Sequence, residues 1–264
     1  MTRHTRLVMS MIYWAFVLYI FVPLILMVTM GFKDSKFIGF PIRSWTLDWY
    51  LEVFGDAEVL SAFGYSMLIG VSSTLVSLAV GVWIAVLLNG RGFVGKGLIY
   101  GLTLLPALIP GIISAISFRI YAQLWGIPPG TGAIIWCHAV HNVPFVVLIV
   151  AARLGTLPKS HLDAARDLGA DPIIAFMRVT LPYLRPALIG GGVFCMLISF
   201  DDFVRSFFLG GYQPTLPVLI FAKLRSGMSP EINAIATVVL VLTGLLGIWA
   251  ERTTRRMKQG KLHS

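Results

Sequence analysis

Gly64-Tyr-Ser-Met-Leu-Ile-Gly-Val-Ser-Ser-Thr-Leu-Val-Ser-Leu-Ala-Val-Gly-Val-Trp-Ile-Ala-Val-Leu-Leu-Asn89 runs for 26 residues without one Asp, Glu, Lys, Arg or His. About 20 residues at 1.5 Å rise cross the hydrocarbon of a bilayer. Lipid offers no partner to a bare amide, so such a run has to be a helix that satisfies its own backbone. Working outward, the same reading applies at 11–31, 98–124, 132–153, 187–209 and 232–250, which makes six expected spans. The first is not read as a cleavable signal peptide. Arg3 and Arg6 would serve as its basic region, but the apolar run is too long and no small-x-small site follows.

Composition agrees. Apolar residues make up 57% of the 264, charged residues 12%, and the mean hydropathy is +0.83; a soluble domain carries about twice that charged share. The net charge of +9 raises the question of nucleic acid. With both termini cytoplasmic, however, 14 of the 21 basic residues fall on the inside: Arg3, Arg6, Arg91, Lys96, Arg153, Lys159, Arg166, Arg178, Arg185, Arg252, Arg255, Arg256, Lys258 and Lys261. Lys33, Lys36, Arg43, Lys223 and Arg225 lie outside, and Arg119 and Arg205 lie within spans. This is the positive-inside pattern, so the basic excess needs no nucleic acid. The tail from Arg252 is also placed to meet anionic lipid. Cys137 and Cys195, the only cysteines, both fall in spans and read as small buried apolar residues.

The chain therefore reads as one membrane domain with two informative loops. The outer loop, 32–63, carries Trp45, Trp49 and Tyr50, and part of it is expected as an interfacial helix. In the inner loop, 154–186, Ser160 is a candidate N-cap with Asp163 three residues on, and Ala164, Ala165 and Leu168 make a narrow apolar strip. Gly169 then stops the helix and Pro172 follows. A short helix over about 160–170 with so small a strip suits a partner's groove better than lipid.

Gly90-Arg-Gly-Phe-Val-Gly-Lys-Gly97 has the outline of a phosphate loop, but Gly97 stands where a hydroxyl has to reach magnesium. The stretch also joins two membrane helices rather than a strand and a helix, so it reads as a cytoplasmic hairpin and no ATP site is expected in this chain. Asp201 and Asp202 are the only two of the twelve acidic residues inside an expected span. Carboxylates at that depth should face a cavity or a basic partner; Arg205 lies one turn away and Arg119 is another candidate. Gly190 to Gly192 on the same segment read as close helix packing, and Pro106 and Pro110 should bend the third span. His138 and His141 read as polar packing rather than a metal site. Adjacent aspartates on one helix point about 100° apart, which speaks against an intramembrane aspartyl dyad, the rival reading as an enzyme.

Asp163-Ala-Ala-Arg-Asp-Leu-Gly169, then nine residues, then Val179-Thr-Leu-Pro182 resembles the cytoplasmic signature of binding-protein-dependent ABC importer permeases, with Asp163 for Glu and Val179 for Ile as mild departures. Ser199 to Phe203, Thr215 to Pro217 and Ser229 to Thr237 resemble the spermidine/putrescine permease subfamily, and similarity runs over nearly the whole chain, including His141 to Val146. The resemblance implies an all-α membrane protein with six transmembrane helices of the type I importer fold in a bacterial inner membrane. It also implies a homologous second permease, two ATPase subunits that carry the ATP and magnesium, and a periplasmic or lipid-anchored solute-binding protein. In that family the inner helix docks on the ATPase. Asp163, Ala164, Ala165, Asp167 and Gly169, with Leu181 and Pro182, would then carry coupling, while Asp201, Asp202 and Arg205 would line the path of an organic amine. Arg205 departs from the subfamily's apolar or small residue and would suit a zwitterionic or acidic amine. A stand-alone channel or secondary carrier is the remaining alternative; the absence of an evident repeat and the coupling-type loop both speak against it.

Overall fold

The computed structural model describes residues 3–35, 39–90, 92–227 and 229–259. Lys36, Arg91 and Lys261 lie outside the described residues, as do the side chains of Arg3 and Lys258. Among the described residues the regular structure is all helical apart from one isolated bridge, Lys33 to Trp45. In order come α1 (Arg3–Met30), α2 (Asp48–Gly55), α3 (Ala57–Asn89), α4 (Lys96–Leu108), α5 (Gly111–Leu124), α6 (Thr131–Leu154), α7 (Lys159–Asp167), α8 (Pro172–Ala175), a π-helical turn (Phe176–Thr180), α9 (Leu181–Phe200), α10 (Phe203–Leu209), α11 (Leu216–Ser226) and α12 (Pro230–Gln259). Among the described residues five helical stretches are long and apolar enough to cross a membrane: His4–Met30, Ala57–Asn89, Thr131–Leu154, Pro172–Phe200 and Pro230–Met257.

Two of the six expected spans are not continuous helices. The third is the pair α4 and α5, bent by 106°. Pro110 disfavours a helical residue before it, and Ile109 is accordingly extended at φ −76°, ψ 127°. The fifth expected span, 187–209, is interrupted at Asp201-Asp202, between α9 and α10. The first break falls where the apolar pattern runs on without a charged residue, and the second is marked in the sequence only by the aspartate pair itself. The hairpin 90–97 joins α3 to α4, and Lys96 Nζ donates to the Gly90 carbonyl at 3.3 Å.

The contacts divide the chain into two compact units. The first comprises 1–61 and 219–243. In it no residue of α1's apolar window is buried, and the helix expected in the outer loop is α2. The Tyr50 ring of α2 lies 4.7 Å from that of Phe32, and Trp49 Nε1 donates to the Lys33 carbonyl at 2.8 Å. Lys223 Nζ reaches Asp56 Oδ2 at 3.2 Å and Glu231 Oε1 at 2.7 Å.

The second unit comprises 62–218 and 244–264. Its core is built from α3, α6 and α9, with Val82, Ala85, Val147, Val150, Leu184 and Cys195 in one buried cluster. The helices approach closely: a Cβ on Gly81 would stand 2.6 Å from Val146 Cγ1, while Gly191 and Gly192 face Ile149 and Leu78, as the small-residue reading expected. Polar bonds stitch the same helices. Ser77 Oγ donates to the Ala139 carbonyl at 3.2 Å, and Asn142 Nδ2 to the Cys195 carbonyl at 3.1 Å. Cys137 and Cys195 are free and buried.

Candidate functional site

The break between α9 and α10 separates the two aspartates. Asp202 leaves helical geometry at ψ 93° and becomes the N-cap of α10, its Oδ1 accepting the Arg205 backbone N–H at 2.9 Å. Its Oδ2 takes the Arg205 guanidinium in an ion pair, with the two side chains only 8% and 7% exposed. Asp201 lies at the exposed face of the same break. Among the described residues its carboxylate makes no ion pair.

Arg205 is held from two further sides. Its Nε donates to Ser114 Oγ on α5 at 3.2 Å, and its Nη2 stands 3.0 Å from His141 Nδ1 on α6. The same Nδ1 is 3.1 Å from the Pro106 carbonyl on α4. A guanidinium only donates, so the ring form that accepts from Arg205 cannot also donate to Pro106. His138 Nδ1 lies 2.7 Å from Ser199 Oγ, which is 2.9 Å from Ser73 Oγ on α3, and His138 Nε2 stands 3.9 Å from Asp202 Oδ2. The result is a buried polar cluster that ties the broken end of α9 to the broken α4–α5 pair through α6. Helix breaks free backbone groups that lipid cannot satisfy, and Asp202 takes one of them at its own break.

Sequence reasoning marked Asp201, Asp202 and Arg205 as one path-lining group; the fold assigns Asp202 and Arg205 to the interior and only Asp201 to an exposed surface. Arg119 is not a partner of either acid. It borders a hollow at the α5–α6 turn with Gln123, Pro128 and Pro129. Sequence reading missed that His138 and His141 belong with Arg205. Their spacing of three on one helix, inside a span, was the available signal. Ser114 and Ser199 carried none.

The expected coupling helix is α7, two residues shorter than anticipated and opened by Pro158 rather than Ser160, with no side-chain cap. Asp163, Ala164, Asp167 and Leu168 are exposed and Ala165 is half-buried; α7 has no buried residue. Arg166 Nη1 meets Asp163 Oδ1 at 3.5 Å. Gly169 ends the helix at φ +80°, the left-handed conformation that a glycine adopts without strain. Leu181 and Pro182 begin α9 directly after the π turn, where the Leu181 N–H donates to Phe176 O, five residues back. Proline would crowd the carbonyl four residues before it, and the wider π turn relieves that contact at Arg178.

Residues 77–259 match the family described as binding-protein-dependent transport system inner membrane component. The chain is 32% identical over 243 residues to the spermidine/putrescine transport system permease protein PotC of Escherichia coli K12, covering 92% of each chain. It is 33% identical over 241 residues to the putrescine transport system permease protein PotI of the same organism, covering 88% of this chain and 85% of that one. Among solved structures, a chain of a bacterial ABC transporter involved in the import of the acidic polysaccharide alginate superposes with a TM-score of 0.72 at 15% identity, over 96% of this chain and 98% of the other. A chain of the MetNI methionine ABC transporter in an inward-facing conformation gives 0.63 at 19% identity, over 75% and 95%.

Proposed function

The chain belongs to the family of binding-protein-dependent transport system inner membrane components, and we propose that it forms, with a homologous second permease, the path by which a polyamine or related small organic amine enters the cell. It is a permease subunit of an ABC importer in the inner membrane, a class of machine that works with an ATPase and a solute-binding protein. The two ATPase copies, their ATP and magnesium, the cytoplasmic placement of both termini and the contact with lipid belong to the proposal.

The substrate class follows from the relatives' named solutes and from one observation in this chain: Arg205 is spent on Asp202. A free guanidinium near the path would repel a polycation. Buried against Asp202, Ser114 and His141 it leaves the exposed Asp201 carboxylate as the charge a passing amine meets, which removes the reason for a zwitterionic solute. The solute-binding protein delivers the amine outside, closure of the ATPase pair is passed to α7, and the permease pair alternates between outward and inward opening. Such coupling requires contacts that differ between the two states, and α7 docking and the Asp201 contact are those contacts.

The test is uptake of labelled spermidine and putrescine by the reconstituted complex carrying Asp201→Asn. A lost charged contact weakens binding by about 1.5–3 kcal/mol, so half-saturation inside the path should rise about ten- to hundredfold while assembly is intact. Unchanged uptake of both amines would remove Asp201 from the path and move recognition to the second permease or the binding protein.

A further inference from the structure

The segment from Gly155 to Thr180 leaves the α6–α9 pair, carries α7 out with nothing buried, and returns. A helix attached only at its ends transmits a load no better than those ends are fixed. Three residues close the neck of this excursion. Arg153, in the last turn of α6, lays its guanidinium over the Tyr183 ring with 4.0 Å from Cζ to the ring centre, and its Nε donates to the Tyr183 carbonyl at 3.3 Å. The Tyr183 hydroxyl donates to the Thr156 carbonyl at 2.9 Å and stands 2.9 Å from Thr156 Oγ1. Thr156 Oγ1 in turn donates to the Arg153 carbonyl at 2.8 Å. One aromatic side chain from the start of α9 is thus gripped on its face by α6 and at its tip by the first residues after α6. Beside it, Leu154 and Leu184 lie in the buried core cluster, at 5% and 0% exposure, so the neck adjoins the buried core of the unit.

We propose that Arg153, Tyr183 and Thr156 are positioning residues for the coupling step: they make the foot of α6 and the foot of α9 move as one body when α7 is displaced. Without the clasp, displacement of α7 is absorbed by the π turn and by Gly155, and the two feet part instead of turning together. A cation over an aromatic face and a planar N–H···O bond hold orientation, which a merely apolar contact would not. The inference rests on reading α7 as the ATPase dock, and its test separates the two.

The complete complex is reconstituted with its ATPase subunits. ATP hydrolysis is measured with and without its binding protein as purified, so that no choice of solute enters. In Tyr183→Leu and Arg153→Gln, basal hydrolysis and co-purification of the ATPase subunit should persist, while the stimulation by binding protein falls about fivefold or more, the scale of a coupling between two sites. Tyr183→Phe, which keeps the ring under Arg153 and loses only the hydroxyl bonds, should retain an intermediate stimulation. If Tyr183→Leu does not reach the membrane, the isosteric pair Tyr183→Phe with Thr156→Ala decides. Full stimulation in that pair and in Arg153→Gln overturns the clasp. Ala165→Arg is the control for the premise: it should abolish co-purification. If it does so while the neck variants stay fully stimulated, only the clasp is wrong; if Ala165→Arg changes nothing, the reading of α7 itself falls.

Discussion

The buried cluster around Arg205 and the exposed loop around α7 solve opposite problems with similar residues. In the first, the side chains of Asp202 and Arg205 are each under a tenth exposed and join α5, α6 and α10. In the second, Asp163 and Arg166 form an ion pair at the same i,i+3 spacing but are 64% and 67% exposed. One pair is held because removing either member alone would leave a charge in the protein interior, and the other is free to be covered by something else. An identical sequence pattern, Asp-x-x-Arg, is thus structural or available according to burial alone. The largest expected effect breaks the buried pair. Asp202→Asn keeps the cap on α10, since Asn caps as well as Asp, but leaves the Arg205 charge without its counter-ion. Stripping one partner from a buried pair costs about 3–5 kcal/mol. The melting midpoint of the purified protein should drop sharply, and Asp202→Asn combined with Arg205→Met should recover most of the loss. Asp163→Asn should leave the midpoint where it is. Equal effects at the two sites would erase the distinction.

The same contrast explains what could be read in advance. The membrane class, the number of apolar segments and the position of α7 are local properties: a charge-free run, or Asp163 to Gly169 with Leu181 and Pro182 at fixed spacing, is visible within a few dozen residues. The two helix breaks were half legible. Pro110 announced the first, while the second sits in an apolar segment whose only sign was the aspartate pair itself. The membership of the buried cluster was not legible. Ser114, His141 and Arg205 stand 91 and 64 residues apart in the bonds they make, and nothing local to Ser114 distinguishes it from any other serine in an apolar helix. Arg205, the departure that bears on the solute, gained its meaning only from its burial.

A smaller effect is expected in the loop. Gly169 sits at φ +80°, and nothing lies within 4 Å of where a Cβ would be. Gly169→Ala therefore meets no clash and carries only the backbone cost of the left-handed conformation, about 1–2 kcal/mol. Because α7 buries nothing, that cost should fall on the end of α7 and not on the fold. Amide exchange across 159–169 should quicken while the global midpoint stays within error. A global loss would mean that the loop is part of the core after all.

The smallest effect comes from a third charge group that lies between the two extremes. Lys223, Asp56 and Glu231 repeat the buried-pair chemistry in the first unit but keep about a fifth to a quarter of each side chain exposed. Burial pushes the Asp56 carboxyl up, yet the Lys223 ammonium and the backbone N–H groups of Glu58 and Val59 outweigh it and hold it below its ordinary 3.8. Burial likewise pushes Lys223 down, and its bonds to Glu231 and Asp56 outweigh that, raising it above 10.5. The signs fix the pH window. A lowered carboxylate stabilises the fold above its unfolded value and loses that contribution as pH falls through the folded one; a raised lysine does so below its unfolded value and loses it as pH climbs through the folded one. This group should therefore contribute a constant amount from about pH 5 to pH 10 and fade only beyond. Water and salt still reach it, so Lys223→Met should cost about 1 kcal/mol at most, less in high salt, and nothing in the pH dependence between those limits. A loss as large as that of Asp202→Asn would show that a fifth of exposure is already too little to screen a charge in this protein, and the line drawn between the buried cluster and the open loop would have to move outward to include the third group.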